Sequence, residues 1–293
     1  LKDLRRYKAQ EKEAKPVVPN AVNEDPETEE ISPEDLRQFD INDVRIYLNQ
    51  LAANILKSKS KKRNAKYNEF REEYAECLHN AWYIKVGGKF FDYTVVETLK
   101  SGAFGALYKV KDDDANVYAL KVLHVNIKDD AGKLDCFRRG VSSMRILTEN
   151  KVKGMVPLVD AWEIPTSILM SYIDGGDLDD AVGARFIDGW DDRLHYSLEI
   201  IKVLMRAHEL DAQVLHRDLR PPNVILEGFY LSENEAPVKI CDFDLSWHKD
   251  AIDTSITLDS LNGYLAPEQL DPNLKNKARS SLVDSFGVGM TMF

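Results

Sequence analysis

Residues 216 to 223 read His-Arg-Asp-Leu-Arg-Pro-Pro-Asn, which places Asp218 and Asn223 five positions apart on one tight loop. Nineteen residues after Asn223 comes Asp242, in the triplet Asp242-Phe243-Asp244, directly after a short apolar run from Val238 to Cys241. Two carboxylates and an amide in this arrangement suit one chemistry in particular. Moving a phosphoryl group from a nucleotide needs a carboxylate near the attacking hydroxyl and oxygen ligands for the magnesium on the phosphates. The two segments supply both.

Such groups work only if surrounding elements hold them, and the chain shows those elements in order. Ser101-Gly102-Ala103-Phe104-Gly105 lies between two strand-like runs, Tyr93 to Leu99 and Ala106 to Val110. Ala119-Leu120-Lys121 follows on another strand. Ala266-Pro267-Glu268 and Asp284-Ser285-Phe286-Gly287 come after the Asp242 triplet. In order and spacing this set resembles the eukaryotic-type protein kinase family, over about Tyr93 to Phe293. The resemblance implies an α+β, two-lobed fold, with a small strand-rich lobe and a larger helical lobe. It also implies that the helix begun near Asp284 should continue and be followed by others, so the chain reads as a fragment, incomplete in its large lobe.

Composition agrees with a globular domain and narrows the alternatives. The chain has 293 residues, 44% hydrophobic and 30% charged, ordinary values for a folded soluble protein. No apolar run is long enough to span a bilayer, and charge from Lys2 onward leaves no secretory signal visible. A formal net charge of -10 argues against a general nucleic-acid binder. Cys77, Cys136 and Cys241 are far apart and lack metal-ligand spacing, which reads as reduced thiols in a cytoplasmic protein.

Residues 1–31 are charged, rich in Glu, Lys and Pro, and without apolar period, so disorder is expected there. Residues 32–88 read as a helical extension. Ser32 with Pro33 marks a helix start, and Val44, Tyr47, Leu48, Leu51, Ala52 and Ile55 recur at helical spacing. A second periodic run holds Tyr67, Phe70, Tyr74, Cys77, Leu78, Ala81 and Trp82. Its aromatic stripe would pack on the small lobe or dock a partner. The basic stretch between them, Lys57 to Lys66, reads as a solvated loop or helix face, with a nuclear address or a membrane or nucleic-acid patch as the alternative. Residues 89–293 form the expected catalytic domain. Strands are expected over Lys89 to Leu99, Ala106 to Leu123, Met155 to Trp162 and Ser167 to Tyr172, and helices over Asp129 to Thr148 and Trp190 to Leu210.

Carried onto this sequence, the resemblance implies ATP and magnesium as cofactors and a protein as substrate. Asp218 would orient the attacking hydroxyl as base, and Arg220 would contact the transferred phosphate where serine/threonine kinases carry Lys. Lys121 would pair with the nucleotide phosphates, while Asn223 and Asp242 would hold magnesium. Gly102 and Gly105 would let the backbone approach the phosphates. Leu99, Leu107, Ala119 and Ile225 would enclose adenine, Met170 would limit its pocket, and Ser171 to Ile173 would offer backbone hydrogen bonds. His216 would be structural. Arg217 would accept a phosphate on Thr254, Ser255, Thr257 or Ser260.

The chain departs from the family pattern at four places. Lys100 replaces the first loop glycine, and Leu261 replaces a threonine. Asp244 stands where glycine is usual after the Asp-Phe pair. The helix glutamate that partners the lysine is missing, with Gly140 in one register and Ser143 in another. Asp244 would partly substitute for that anion, by contacting Lys121 or by adding charge to the metal site, or it would serve as a turn residue pointing to solvent. The expected activity is therefore a serine/threonine protein kinase, with a nucleotide-binding or scaffolding pseudokinase as the alternative. A small-molecule kinase of the aminoglycoside or choline type would lack the Ala266-Pro267-Glu268 segment.

Overall fold

Strict alternation along Val117–Leu123 decides what the small lobe presents to its neighbours. Side chains on a strand alternate between faces. Leu120 and Val122 therefore enter one cluster with Phe90, Val95, Val110 and Leu169. Ala119 and Leu123 enter another, with Phe137, Met144, Leu147 and Ile168. Lys121 shares the second face. This computed structural model describes residues 31–58, 62–102, 105–124, 131–231, 236–251, 263–274 and 277–292.

The strands are β1 (Lys89–Phe90), β2 (Tyr93–Ser101), β3 (Gly105–Lys111), β4 (Val117–Leu123), β5 (Leu158–Glu163) and β6 (Thr166–Ser171). They form one antiparallel sheet in the order β1-β2-β3-β4-β6-β5. A helix, α5 (Ala131–Glu149), packs on the Lys121 face. The strand expected from Met155 begins only at Leu158. Pro157 has no N–H for the ladder, and Met155 instead bridges Ile240 of the other lobe. Val156 donates to the Ile240 carbonyl at 2.9 Å, which ties the lobes together.

The second lobe holds a small sheet of β7 (Gly175–Asp177), β8 (Val224–Glu227) and β9 (Val238–Ile240). Helices α6 (Leu178–Gly183), α7 (Trp190–His208), α8 (Pro267–Leu270) and α9 (Leu282–Met292) surround it. Tyr196, Ile200, Val203, Leu204 and Ala207 put one stripe of α7 into the core, at the spacing a 3.6-residue turn requires. The two-lobed α+β fold is the one the resemblance implied.

The extension forms α1 (Pro33–Leu36), α2 (Ile41–Lys57), α3 (Arg63–Glu73) and α4 (Ala75–Ala81). Ser32 caps α1, its hydroxyl accepting from Asp35 N at 3.2 Å. The second periodic run breaks at Tyr74 into α3 and α4, and the Tyr74 hydroxyl donates to the Ile31 carbonyl at 3.0 Å. The stripe packs on the small lobe: Ile164, at the β5–β6 turn, belongs to the extension's core. Asn49 accepts from Glu163 N at 3.0 Å and Ile164 N at 3.1 Å. Arg45 is buried and donates to the carbonyls of Ala81 (2.9 Å), Tyr83 (2.6 Å) and Lys89 (3.2 Å). The tail expected to be disordered lies outside the described residues, except Ile31.

Candidate active site

The loop from His216 to Asn223 is held from beneath by one carboxylate. Asp284, at the start of α9 and buried, accepts from His216 N at 2.9 Å and Arg217 N at 2.7 Å. His208 Nε2 donates to it at 2.7 Å. Burial pushes the Asp284 carboxyl up, but these donors and the neighbouring imidazoles outweigh that and hold it below the usual carboxylate range. His216 Nε2 donates to the Cys241 carbonyl at 2.9 Å, fastening the loop to the end of β9. Its Nδ1 accepts from Asp218 N at 3.3 Å. Gln269 Nε2 on α8 donates to the Arg217 carbonyl at 2.7 Å, which joins the Ala266-Pro267-Glu268 segment to the same loop.

Asp218 is fixed within that frame. Asn223 Nδ2 donates to its carbonyl at 2.8 Å and reaches its carboxylate at 3.3 Å. Arg220 Nε lies 3.5 Å from the same carboxylate. Burial, with Asp242 as a nearby like charge, pushes the Asp218 carboxyl up against the pull of His216 and Arg220. Arg217 (φ 69°) and Asp242 (φ 65°) both adopt left-handed backbone. That conformation disfavours most side chains and gathers at functional sites.

Lys121 Nζ lies 2.8 Å from Asp242 Oδ1 and 2.7 Å from Asp244 Oδ2. Burial works against the ammonium, but the two carboxylates dominate and hold its pKa above the usual lysine value. Burial works against Asp242 too, yet the Lys121 charge holds its carboxyl low. Asp244 is pushed up by burial and by the Asp242 charge. Asp244 therefore points inward to the lysine, and the solvent-facing turn residue is not what the fold makes of it.

At Gly140, one of the two positions where the helix glutamate would stand, there is no room for a side chain. A Cβ on Gly140 would lie 2.8 Å from the Phe243 carbonyl oxygen and 3.2 Å from its carbon. Helix α5 thus rests directly on the backbone of the Asp242 triplet, where no longer side chain fits. Its neighbours complete the seam: Arg139 Nε donates to the Ser246 carbonyl at 2.6 Å, and Ser246 Oγ to Ser143 Oγ at 2.8 Å.

Residues expected around adenine are only partly brought together. Leu107, Ala119, Met170 and Ile173 join one cluster, and Ala119 pairs with Met170 across the sheet. Ile225 lies on β8 opposite Asp177, half-buried. Leu99 is 38% exposed and outside the clusters. Ser171 gives its N–H to the Pro157 carbonyl at 3.1 Å, so that donor is already used within the protein. A Cβ on Gly105 would lie 2.3 Å from the Val122 carbonyl, so strand packing already demands glycine there, whereas Gly102 has open space around it. Lys100 reaches across to Asp177 of the second lobe at 3.8 Å. A separate cavity of about 520 Å³, bordered by Lys151, Lys153, Glu199 and Arg206, contains none of the residues expected around the nucleotide.

The donor set fits a hard cation. Asn223 uses its amide nitrogen on Asp218, leaving its oxygen for a metal, and Asp242 adds a carboxylate. Among the described residues no cluster of three His, Cys, Asp or Glu could hold a metal. Magnesium is ordinarily held by one or two protein groups, with substrate phosphates and water. Sequence reasoning named Asp284 only as part of a motif and gave no role to Arg139, Ser246 or Gln269. Their partners lie 50 or more residues away, and nothing local signals them. Leu261 and the four hydroxyl residues of 254–260 lie outside the described residues.

The same frame recurs in known proteins. The family profile for the protein kinase domain matches residues 93–293. An Arabidopsis thaliana relative, the LRR receptor-like serine/threonine-protein kinase FEI 2, is 31% identical over 193 residues, covering 64% of this chain and 30% of that protein. The human cAMP-dependent protein kinase catalytic subunit PRKX is 27% identical over 205 residues, covering 69% and 52%. The chain thus spans about half or less of these relatives. The crystal structure of the Mycobacterium tuberculosis PknI kinase domain shares the fold, with a TM-score of 0.50 at 24% identity, covering 72% of this chain and 76% of that one. No helix among the described residues is long and apolar enough to cross a membrane. By its motifs, its two lobes and this match, the chain belongs to the protein kinase family.

Proposed function

We propose that residues 89–293 transfer the γ-phosphate of ATP to Ser or Thr hydroxyls of protein substrates, with residues 32–88 as a helical buttress on the small lobe. The observation that carries this is the joining of two distant segments. Cys241 N donates to the Asn223 carbonyl at 3.0 Å and His216 Nε2 to the Cys241 carbonyl at 2.9 Å, while the adjoining Asp242 grips Lys121 at 2.8 Å, so base, metal ligands and phosphate cation share one cleft.

Each residue then has a task. Asp218 accepts the hydroxyl proton as the oxygen attacks; its raised pKa makes it a better base. Asn223 holds it in place and, with Asp242, offers oxygens to magnesium. Magnesium, when bound, supplies positive charge to the phosphates. Lys121 orients those phosphates, and Arg220, beside Asp218, faces the transferred group. Gly102 leaves room for the nucleotide to approach the backbone. Leu99, Leu107, Ala119, Met170, Ile173 and Ile225 supply apolar walls for adenine. A pseudokinase reading has one observation in its favour: the two acids of α5 do not face Lys121. Asp135 faces Arg138 at 3.6 Å, and Glu149 is exposed at the far end.

Asp218→Asn in the full-length protein tests the proposal, using radiolabelled ATP and a generic protein substrate. Turnover should fall about 100-fold or more, the scale of a lost general base, while ATP binding persists. Turnover within a factor of about three of wild type, far below that scale, would refute the assignment. A wild type that binds ATP without transferring phosphate would favour the pseudokinase.

A further inference from the structure

Both carboxylates that hold Lys121 lie on one three-residue segment, Asp242 and Asp244. They have different prospects once a nucleotide arrives. Asp242 is the group placed to take a cation, and a carboxylate shared with a metal is a weaker partner for an ammonium. An ammonium on a four-carbon stem is otherwise free to swing. Asp244 is the remaining anion within hydrogen-bond reach, at 2.7 Å.

The helix offers no alternative. Gly140 is the residue of α5 that meets the segment, and a Cβ there would strike the Phe243 carbonyl at 2.8 Å. The helix grips the segment by other means, through Arg139 to the Ser246 carbonyl and through the Ser143–Ser246 hydroxyl pair. Helix docking and lysine anchoring are therefore separate contacts with separate residues.

We propose that Asp244 is the positioning residue that aims Lys121 at the nucleotide phosphates, so that the lysine is anchored from the metal-binding segment and not from α5. This rests on the nucleotide-binding reading above. Asp244 acts through the lysine and touches no reacting atom. Displacing α5 would then leave the ion pair whole, since neither partner is on the helix.

The test is a double-mutant cycle on ATP affinity in the full-length protein, measured by titration calorimetry with and without magnesium. The variants are Asp244→Asn, Lys121→Met and the two combined. Asp244→Asn should weaken ATP binding about tenfold, the scale of one charge-assisted hydrogen bond. Without magnesium the loss should be smaller, because Asp242 is then free to hold the lysine as well. In the Lys121→Met background the same change should alter affinity by less than about twofold, because coupled residues lose additivity. Asp244→Ser, measured in the same cycle, serves if the Asn variant does not fold. Unchanged or tighter binding by the Asp244 variant overturns the proposal. So does an equal loss without Lys121, which would show a role independent of the lysine, such as that of a metal ligand. A wild type that binds no ATP would instead sink the nucleotide reading on which the proposal stands.

Discussion

Replacing Gly140 with Ala should destabilise this protein, although the same change in an open helix stabilises. Two effects of similar size compete. Ala is favoured over Gly inside a helix by about 1 kcal/mol. Against it, the new methyl would lie 2.8 Å from the Phe243 oxygen and 3.2 Å from its carbon. Those atoms are backbone, and Phe243 is locked: its ring is 2% exposed and packs edge-on against His216 at 4.8 Å. Neither partner can turn aside as a flexible side chain would, so α5 must move outward and strain the Arg139–Ser246 contact. Overpacking of this kind costs about 1–3 kcal/mol. With a clash near 2 kcal/mol in that range, the net loss is about 1 kcal/mol. For a domain of this size that lowers Tm by about 3 °C. The control is Gly183 at the end of α6, where a Cβ would meet no atom within 4 Å. Gly183→Ala should raise Tm slightly, by the unfolded-state entropy it removes. Differential scanning calorimetry of both variants gives the answer. If Gly140→Ala melts above wild type, as Gly183→Ala should, α5 does not rest on the Asp242 triplet and the steric account of the missing glutamate is wrong.

Two further outcomes follow from buried charges. Arg45→Ala should cost about 3–5 kcal/mol, because it strands the carbonyls of Ala81, Tyr83 and Lys89 together. Arg45→Lys should recover less than half of that, since an ammonium cannot match a planar fork of donors; chemical denaturation reads both. Asp284→Asn should cost about 3 kcal/mol near pH 7 by turning an amide toward donors that need an acceptor. Its folded pKa is lowered, so the stabilisation is fully present above the unfolded value and is lost as pH falls through the folded one. The gap between wild type and variant should therefore shrink below about pH 4, the unfolded carboxyl range, and a gap constant from pH 7 to 3 would contradict this account.

The sequence by itself determined the kinase architecture and the identity of the polar groups in the cleft. Asp218 and Asn223 meet because five residues of loop bring them there, and alternation along β4 puts Lys121 on the face of Ala119. These are short-range consequences of chain geometry, and a reader of residues can follow them. The periodicity of residues 41–57 likewise announced α2. The same periodicity could not say what the aromatic stripe of α3 and α4 covers, and only packing against Ile164 and Glu163 answered that. The break at Tyr74 was also invisible as pattern, whereas the late start of β5 was legible in Pro157, which has no N–H for a ladder.

The tertiary structure alone decided the meaning of the two departures at Gly140 and Asp244. In sequence they lie more than 100 residues apart, one a lost acid and the other an extra one, and whether the second replaces the first stays open. In space they are one contact. A helix lying on the Phe243 backbone excludes any side chain at 140, and the carboxylate beside that backbone reaches Lys121 instead. Steric exclusion and Coulomb attraction act through space and are indifferent to chain distance, which is why the residues in line could raise the exchange of one acid for another but not decide it.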